Sequence, residues 1–222
     1  MDDKKSIGLY AASLVKDGDV VGLGTGSTTA YTIIELGRRI REEGISIYGI
    51  PTSFQAKLLA VESKILISSL DEHDIDIAID GADEVSPDLC LLKGRGGALL
   101  QEKIIDYSAK KFVVICEERK LVEQLGKSFP IPIEVFPMAY RKVFELLSSF
   151  GRPVLRNTDK KDGPLITDNG NFIIDLFTPI ENPKSMEKEL NNIPGIFENG
   201  IFTSKCEVAF MKNERIEVLK SR

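Results

Sequence analysis

Val20-Val21-Gly22-Leu23-Gly24-Thr25-Gly26-Ser27-Thr28 joins a short apolar run to a glycine-rich turn that opens onto a helical pattern. Val20–Gly24 reads as a buried strand, and Thr28–Glu43 as a helix with Tyr31, Ile34 and the Ile33, Leu36 and Ile40 group on one side. Outward from this unit the same grammar repeats. Ser46–Ile50, Lys64–Ser68, Ile75–Asp80, Leu89–Lys93 and Phe112–Cys116 read as strands, and Phe54–Glu62 and Gly97–Ala109 as helices. Short β-branched runs alternating with helices predict a mostly parallel sheet with helical crossovers up to about residue 126.

After Gly126 the pattern changes. Pro130, Pro132 and Pro137 punctuate a strand at Ile131–Phe136, followed by a helix at Ala139–Phe150, strands at Pro153–Arg156 and Phe172–Phe177 joined by the turn-rich Asp159–Gly170, and a helix at Ser185–Asn191. Two helices interleaved with strands predict a small α+β unit of ferredoxin-like type. Val208–Met211 and Ile216–Leu219 read as strands that return to the main sheet, so the expected division is 1–126 with 203–222, and 127–202.

Ligands of open α/β sheets bind beyond the carboxyl ends of strands, which is where three polar motifs fall. In the first, the backbone amides of Gly22–Thr28 and the positive end of the following helix suit an anion, with Thr25, Gly26, Ser27 and Thr28 at its mouth. Ser27 stands where a dinucleotide fingerprint needs its third glycine, and no Gly-Lys-Ser/Thr ending exists, so a monophosphate fits better than a dinucleotide or nucleoside triphosphate. The alternative is a tight turn in which Ser27 or Thr28 caps the helix. In the second, Asp80-Gly81-Ala82-Asp83-Glu84 offers two carboxylates around small residues, suited to polyol hydroxyls or proton transfer, or else a solvated acidic cap. In the third, Lys93-Gly94-Arg95-Gly96-Gly97 places two cations in a loop at a helix start, where a lysine beside a developing oxyanion is a recognised electrostatic device. Glu102, within that helix, is a general base or part of a polar helix face. Lys120 follows the Phe112–Cys116 strand and is likewise at a carboxyl end, where most lysines are simply solvated.

Composition narrows the chemistry. The 222 residues are 42% hydrophobic and 28% charged, which supports a sizeable core. A net charge of −5 and the absence of a basic run argue against nucleic acid or an anionic membrane as partner. No apolar stretch is long enough to span a bilayer and Met1–Lys5 lacks the apolar segment of a signal peptide, so a cytoplasmic location is expected. Cys90, Cys116 and Cys206 are isolated, which fits reduced thiols. His73 is the only histidine and lies in the acidic run Asp71–Asp74, read as a solvated loop. A multi-histidine metal site is therefore excluded, and carboxylates and lysines are left to do any catalysis.

The segments GLGTGSTTA from Gly22, GIPTSFQA from Gly49, DIAIDGADEV from Asp76, LLKGRGGALLQEKI from Leu91, FVVICEERKLVEQLG from Phe112 and PIPIEVFP from Pro130, in this order and spacing, resemble the A-type ribose-5-phosphate isomerases. The resemblance covers most of residues 20–137 and is looser in the last third. It implies a Rossmann-like α/β domain, its mostly parallel sheet carrying helices on both faces, with a small α+β domain, in a homodimer or homotetramer. It also implies interconversion of D-ribose 5-phosphate and D-ribulose 5-phosphate through an enediol, within the non-oxidative pentose phosphate pathway, with no metal and no cofactor. By position, Thr25–Thr28 hold the substrate near its phosphate, Asp80–Asp83 line the sugar, Lys93–Gly96 contact the reacting end, Glu102 is the proton acceptor, Lys120 binds substrate, and Lys4 matches a further phosphate contact. Ring opening falls to Asp80 or Asp83, and Lys93 stabilises the negative oxygen. Arg95 stands where many members carry glycine. Three rivals remain: a sugar-phosphate sensor of related fold, which would lack Glu102 and Lys93; a nicotinamide-dependent oxidoreductase; and a deaminase or acyl-CoA transferase on a similar scaffold.

Overall fold

The computed structural model describes residues 3–158 and 162–220, so residues 159–161 of the expected Asp159–Gly170 turn region lie outside the described residues, as do the first two and last two positions of the chain. In chain order the elements are α1 (Asp3–Ser13), β1 (Val20–Leu23), α2 (Thr29–Glu43), β2 (Tyr48–Pro51), α3 (Phe54–Glu62), β3 (Leu66–Ile67), β4 (Ile77–Gly81), β5 (Glu84–Val85), β6 (Leu91–Leu92), α4 (Leu99–Ser108) and β7 (Lys111–Cys116). They continue with β8 (Ile131–Val135), α5 (Tyr140–Leu147), β9 (Arg152–Leu155), β10 (Phe172–Phe177), α6 (Pro183–Asn191), β11 (Ile196–Asn199), β12 (Ile201–Phe202), β13 (Glu207–Lys212) and β14 (Arg215–Lys220). They form two compact units: Met1–Ala82, Gln101–Lys120 and Ser204–Arg222 in the first, Asp83–Leu100 and Leu121–Thr203 in the second.

The first unit is built on a seven-stranded sheet in the order β14-β13-β7-β4-β1-β2-β3. Its pairings are parallel except for the β13–β14 hairpin. Positive φ at Asn213 (48°) and Glu214 (62°) gives that hairpin the left-handed turn that matches strand twist. All four residues of β1 are buried, as a strand covered on both faces requires. One face packs Val21 and Leu23 against Ile7 of α1, Ile33 and Leu36 of α2, and Ala56 and Ala60 of α3. On the other face, Gly22 lies against Ile105 of α4. The fold is thus α/β with helices on both faces of a mostly parallel sheet. From β1 the chain runs outward through β2 and β3 and then returns to β4 on the opposite side of β1, so the topological switch point lies between β1 and β4.

In the second unit, β8, α5, β9, β10, α6 and β11 follow the β-α-β-β-α-β order. The strands are antiparallel in the order β11-β8-β10-β9, the ferredoxin-like arrangement expected. Ile131, Ile133 and Val135 of β8 pack with Val143 and Leu147 of α5, Ile174 and Leu176 of β10, and Leu190 of α6. Asp83–Leu100 groups with this unit because β6 pairs with β5 and β12 in a separate three-stranded sheet, not with the parallel one.

Several local expectations shift. Ile34 is exposed, because the buried stripe of α2 runs through Thr29, Thr32, Ile33, Leu36 and Gly37. The helix expected from Ala139 starts with a single 3₁₀ turn at Pro137–Ala139 and ends at Leu147. His73 is a loop residue as expected, but half-buried: it stacks on Tyr48 with ring centroids 4.6 Å apart, its Nδ1 2.7 Å from Ser68 Oγ. Among the described residues, no helix is long and apolar enough to cross a membrane.

Candidate active site

At the switch point of the first unit, β1 ends at Leu23 and the next residues turn over the end of β4. Gly24 donates its N–H to Ile79 O at 3.0 Å. A Cβ on Gly24 would stand 2.3 Å from Asp80 Oδ1 and 2.5 Å from Asp80 Cα, so only glycine lets the turn lie this close to the carboxylate. Asp80 is fully buried. Its Oδ1 accepts from Thr25 N–H at 3.0 Å and Gly81 N–H at 2.6 Å, so two backbone donors fix its orientation.

The hydroxyls around this carboxylate form a cluster. Thr25 Oγ1 lies 2.8 Å from Thr52 Oγ1 and donates to Ser53 Oγ at 2.6 Å. Thr52 is held in turn by Leu23 O at 3.1 Å, and Ser53 caps α3 by accepting from Ala56 N–H at 3.1 Å. Thr52 and Ser53 lie in the segment from Gly49, one of the six that carry the resemblance, and nothing local marks them as site residues. Their pairing with Thr25 depends on β2 lying beside β1, which spacing along the chain does not disclose.

The capping alternative for the glycine-rich turn is not what the structure shows. Thr28 sits at the N-cap of α2 and makes no side-chain capping bond, while Thr29 Oγ1 donates to Gly26 O at 3.0 Å. Ser27 Oγ instead accepts from Lys4 Nζ at 3.1 Å, and Lys4 also lies 3.8 Å from Glu117. A helix N-terminus, hydroxyl donors and an ammonium therefore meet in one turn, which is anion-binding chemistry. Glu102, 4% exposed, is in the first turn of α4, where the helix dipole favours a carboxylate. Lys120 is half-buried at the end of a 3₁₀ turn, Glu118–Lys120, that follows β7.

The second unit holds the other polar group. Lys93 is 2% exposed, donates its N–H to Gly200 O at 2.8 Å, and places Nζ 5.3 Å from the Phe202 ring centre. The following turn needs Gly94, whose φ is 103° and whose Cβ would stand 2.9 Å from Leu99 Cβ. Asp83 Oδ2 accepts from Arg95 N–H at 3.0 Å, and Asp83 N–H donates to Leu92 O at 2.8 Å. Arg95 and Gly96 are exposed. Thus Thr25, Gly26, Ser27, Thr28, Asp80, Gly81, Ala82, Glu102 and Lys120 belong to the first unit, and Asp83, Lys93, Gly94, Arg95 and Gly96 to the second. Among the described residues, no group of three or more His, Cys, Asp or Glu is arranged to hold a metal ion.

Residues 48–215 match the family model described as ribose 5-phosphate isomerase A (phosphoriboisomerase A). A ribose-5-phosphate isomerase A of Methanocaldococcus jannaschii is 54% identical over 221 residues, covering 99% of this chain and 98% of its own. The solved structure of ribose 5-phosphate isomerase A from that organism superposes with a TM-score of 0.96 over 98% of this chain and 97% of its own. A D-ribose-5-phosphate isomerase in complex with phospho-erythronic acid superposes with a TM-score of 0.95 at 51% identity, covering 99% of this chain and all of the other.

Proposed function

The chain belongs to the ribose 5-phosphate isomerase A family and is an isomerase of ribose 5-phosphate and ribulose 5-phosphate in the pentose phosphate pathway; from that premise we propose how its own residues perform the reaction. The observation that carries the proposal is the buried, doubly anchored Asp80 carboxylate beside the hydroxyl turn at the switch point. Thr25 to Thr28 and Lys4 hold the phosphate, and Lys120 adds a second cation. The relative bound to phospho-erythronic acid, itself a phosphorylated sugar acid, supports a phosphate subsite of this kind.

Asp80 and Asp83, with Gly81 and Ala82 between them, line the sugar, and one of the two carboxylates assists ring opening, since the cyclic form has no free carbonyl. Glu102 then removes the proton from C2 while O1 gains one, giving an enediol. The Glu102 carboxyl, its proton exchanged with solvent, then protonates C1 as O2 loses a proton, which completes the ketose. Lys93 stabilises the negative oxygen during both transfers, and Gly94, Arg95 and Gly96 contact the reacting end.

We read residues 1–126 with 203–222 as the Rossmann-like catalytic domain and 127–202 as the small α+β domain, working in the cytoplasm as a homodimer or homotetramer. An apolar surface in the first unit supports self-association. Phe54, Leu58 and Val61 of α3, Leu66 of β3 and Ile104 of α4 are all exposed, and Phe54 and Ile104 line a groove of about 330 Å³ with Ile50, Ile67 and Leu70.

The proton-transfer route is tested by running the reaction in deuterium oxide after exhaustive chelation. Ribulose 5-phosphate formed early should carry solvent deuterium at C1. Full retention of the original C2 hydrogen would point to a hydride shift and overturn Glu102 as an exchanging base, and loss of turnover on chelation alone would overturn the metal-free reading.

A further inference from the structure

The loop that carries Lys93 is held by a side chain far along the sequence. Arg156, just beyond β9, donates from Nη1 to Gly94 O at 2.9 Å and to Arg95 O at 3.0 Å. Its opposite edge grips Asp175 of β10, with Nε donating to Oδ2 at 2.8 Å and Nη2 to Oδ1. This ion pair is largely sheltered, with side chains 12% and 15% exposed. The backbone of Arg156 is itself fixed, its N–H donating to Ile173 O at 2.9 Å and its carbonyl accepting from Leu165 N–H at 2.8 Å. The guanidinium is therefore a rigid fork set in the small sheet, with one edge on a carboxylate and the other on two successive carbonyls.

Position 95 is held from both sides: its N–H goes to Asp83, at 3.0 Å, and its carbonyl to Arg156. Gly94 O also accepts from Gly97 N–H at 3.0 Å, which closes the turn. Only a planar guanidinium serves a bidentate carboxylate and a pair of carbonyls at once. A lysine ammonium lacks that geometry.

We infer that Arg156, braced by Asp175, is a positioning residue that sets the Lys93–Gly96 loop for catalysis. The inference rests on the role assigned above to Lys93 and extends it to residues outside every motif read from the sequence. A misplacement of about 1 Å in a catalytic group costs roughly 100-fold in rate, so Arg156→Ala lowers kcat by about 10-fold to 100-fold while KM for ribose 5-phosphate changes much less. Arg156→Lys recovers little, because it supplies the charge without the fork.

The test measures kcat and KM for Arg156→Ala, Arg156→Lys, Lys93→Ala and the Lys93→Ala/Arg156→Ala double variant, with and without added guanidinium ion. Four results are expected: a fall mainly in kcat, partial rescue of Arg156→Ala by guanidinium, no such rescue of Lys93→Ala, and a double variant no slower than Lys93→Ala alone. Additive losses in the double variant, or a kcat for Arg156→Ala within twofold of the parent, would overturn the inference. Undiminished turnover in Lys93→Ala would overturn the role of Lys93 itself, so the two failures are distinguishable. Should Arg156→Ala not fold, Asp175→Asn, which keeps size and shape but loosens the brace, must show the same kcat-weighted loss. An unchanged kcat there would equally overturn it.

Discussion

At Gly24 a single hydrogen in place of a methyl group decides where a carboxylate stands. Gly24→Ala forces its new Cβ onto Asp80 Oδ1, 2.3 Å away, so Asp80 must leave the two backbone donors that orient it. The variant should lose about tenfold or more in kcat, measured as ribulose 5-phosphate formation. A kcat equal to the parent would show that the orientation of Asp80 does not matter. A second residue-scale prediction concerns Asp76, whose carboxyl is held below its usual range, first by the hydrogen bond from Lys110 Nζ at 2.8 Å and then by Val20 N–H. A carboxylate whose folded pKa is depressed stabilises the fold above its unfolded value of about 3.9 and loses that contribution as pH falls through the folded value. Asp76→Asn keeps an acceptor for Val20 but no charge for Lys110. Its Tm should thus fall short of the parent's above about pH 5 and approach it only as pH falls through the depressed folded value; a gap independent of pH would contradict the assignment. Cys90, Cys116 and Cys206 are all buried, and burial pushes the Cys116 thiol up to about 12.

Among the elements, those with strong periodicity were legible and those defined by packing were not. Strands β1, β4 and β7 and helix α3 sit where the apolar runs place them, because a strand buried on both faces has to be continuously apolar. Helix α1 carries little apolar signal: Asp3–Ser13 buries Ile7 and the small residues Gly8, Ala11 and Ala12, of which Ile7, Ala11 and Ala12 pack in the main core. Glu134 likewise gave no sign of its role within the Pro130 motif. It is fully buried in β8, and its Oε1 accepts from Thr167 Oγ1, Asn169 Nδ2 and Asn171 Nδ2, tying down the turn before β10. Those partners lie more than thirty residues away. The apolar surface of α3, β3 and α4 carries the prediction of this scale. Leu58→Asp should reduce the light-scattering mass toward that of a monomer while the circular dichroism spectrum stays native. A mass unchanged from the parent's would overturn self-association through this surface.

For the molecule as a whole, the sequence disclosed the α/β class, the ferredoxin-like unit and the polar motifs, because each motif is local to one strand end. Thr52 and Ser53, Arg156 and Asp175 were illegible for one shared reason: each acts on a motif through strand pairing or a loop contact that local spacing does not encode. Whether a carboxylate in the first turn of α4 moves the proton is decided by kcat for Glu102→Gln beside the parent, in chelated buffer, with native fold verified for both. The amide is nearly isosteric and cannot accept the proton, so kcat should fall by about 100-fold to 10,000-fold with little change in substrate affinity. Turnover within threefold of the parent would remove Glu102 from the proton transfer and leave the reaction to a different base.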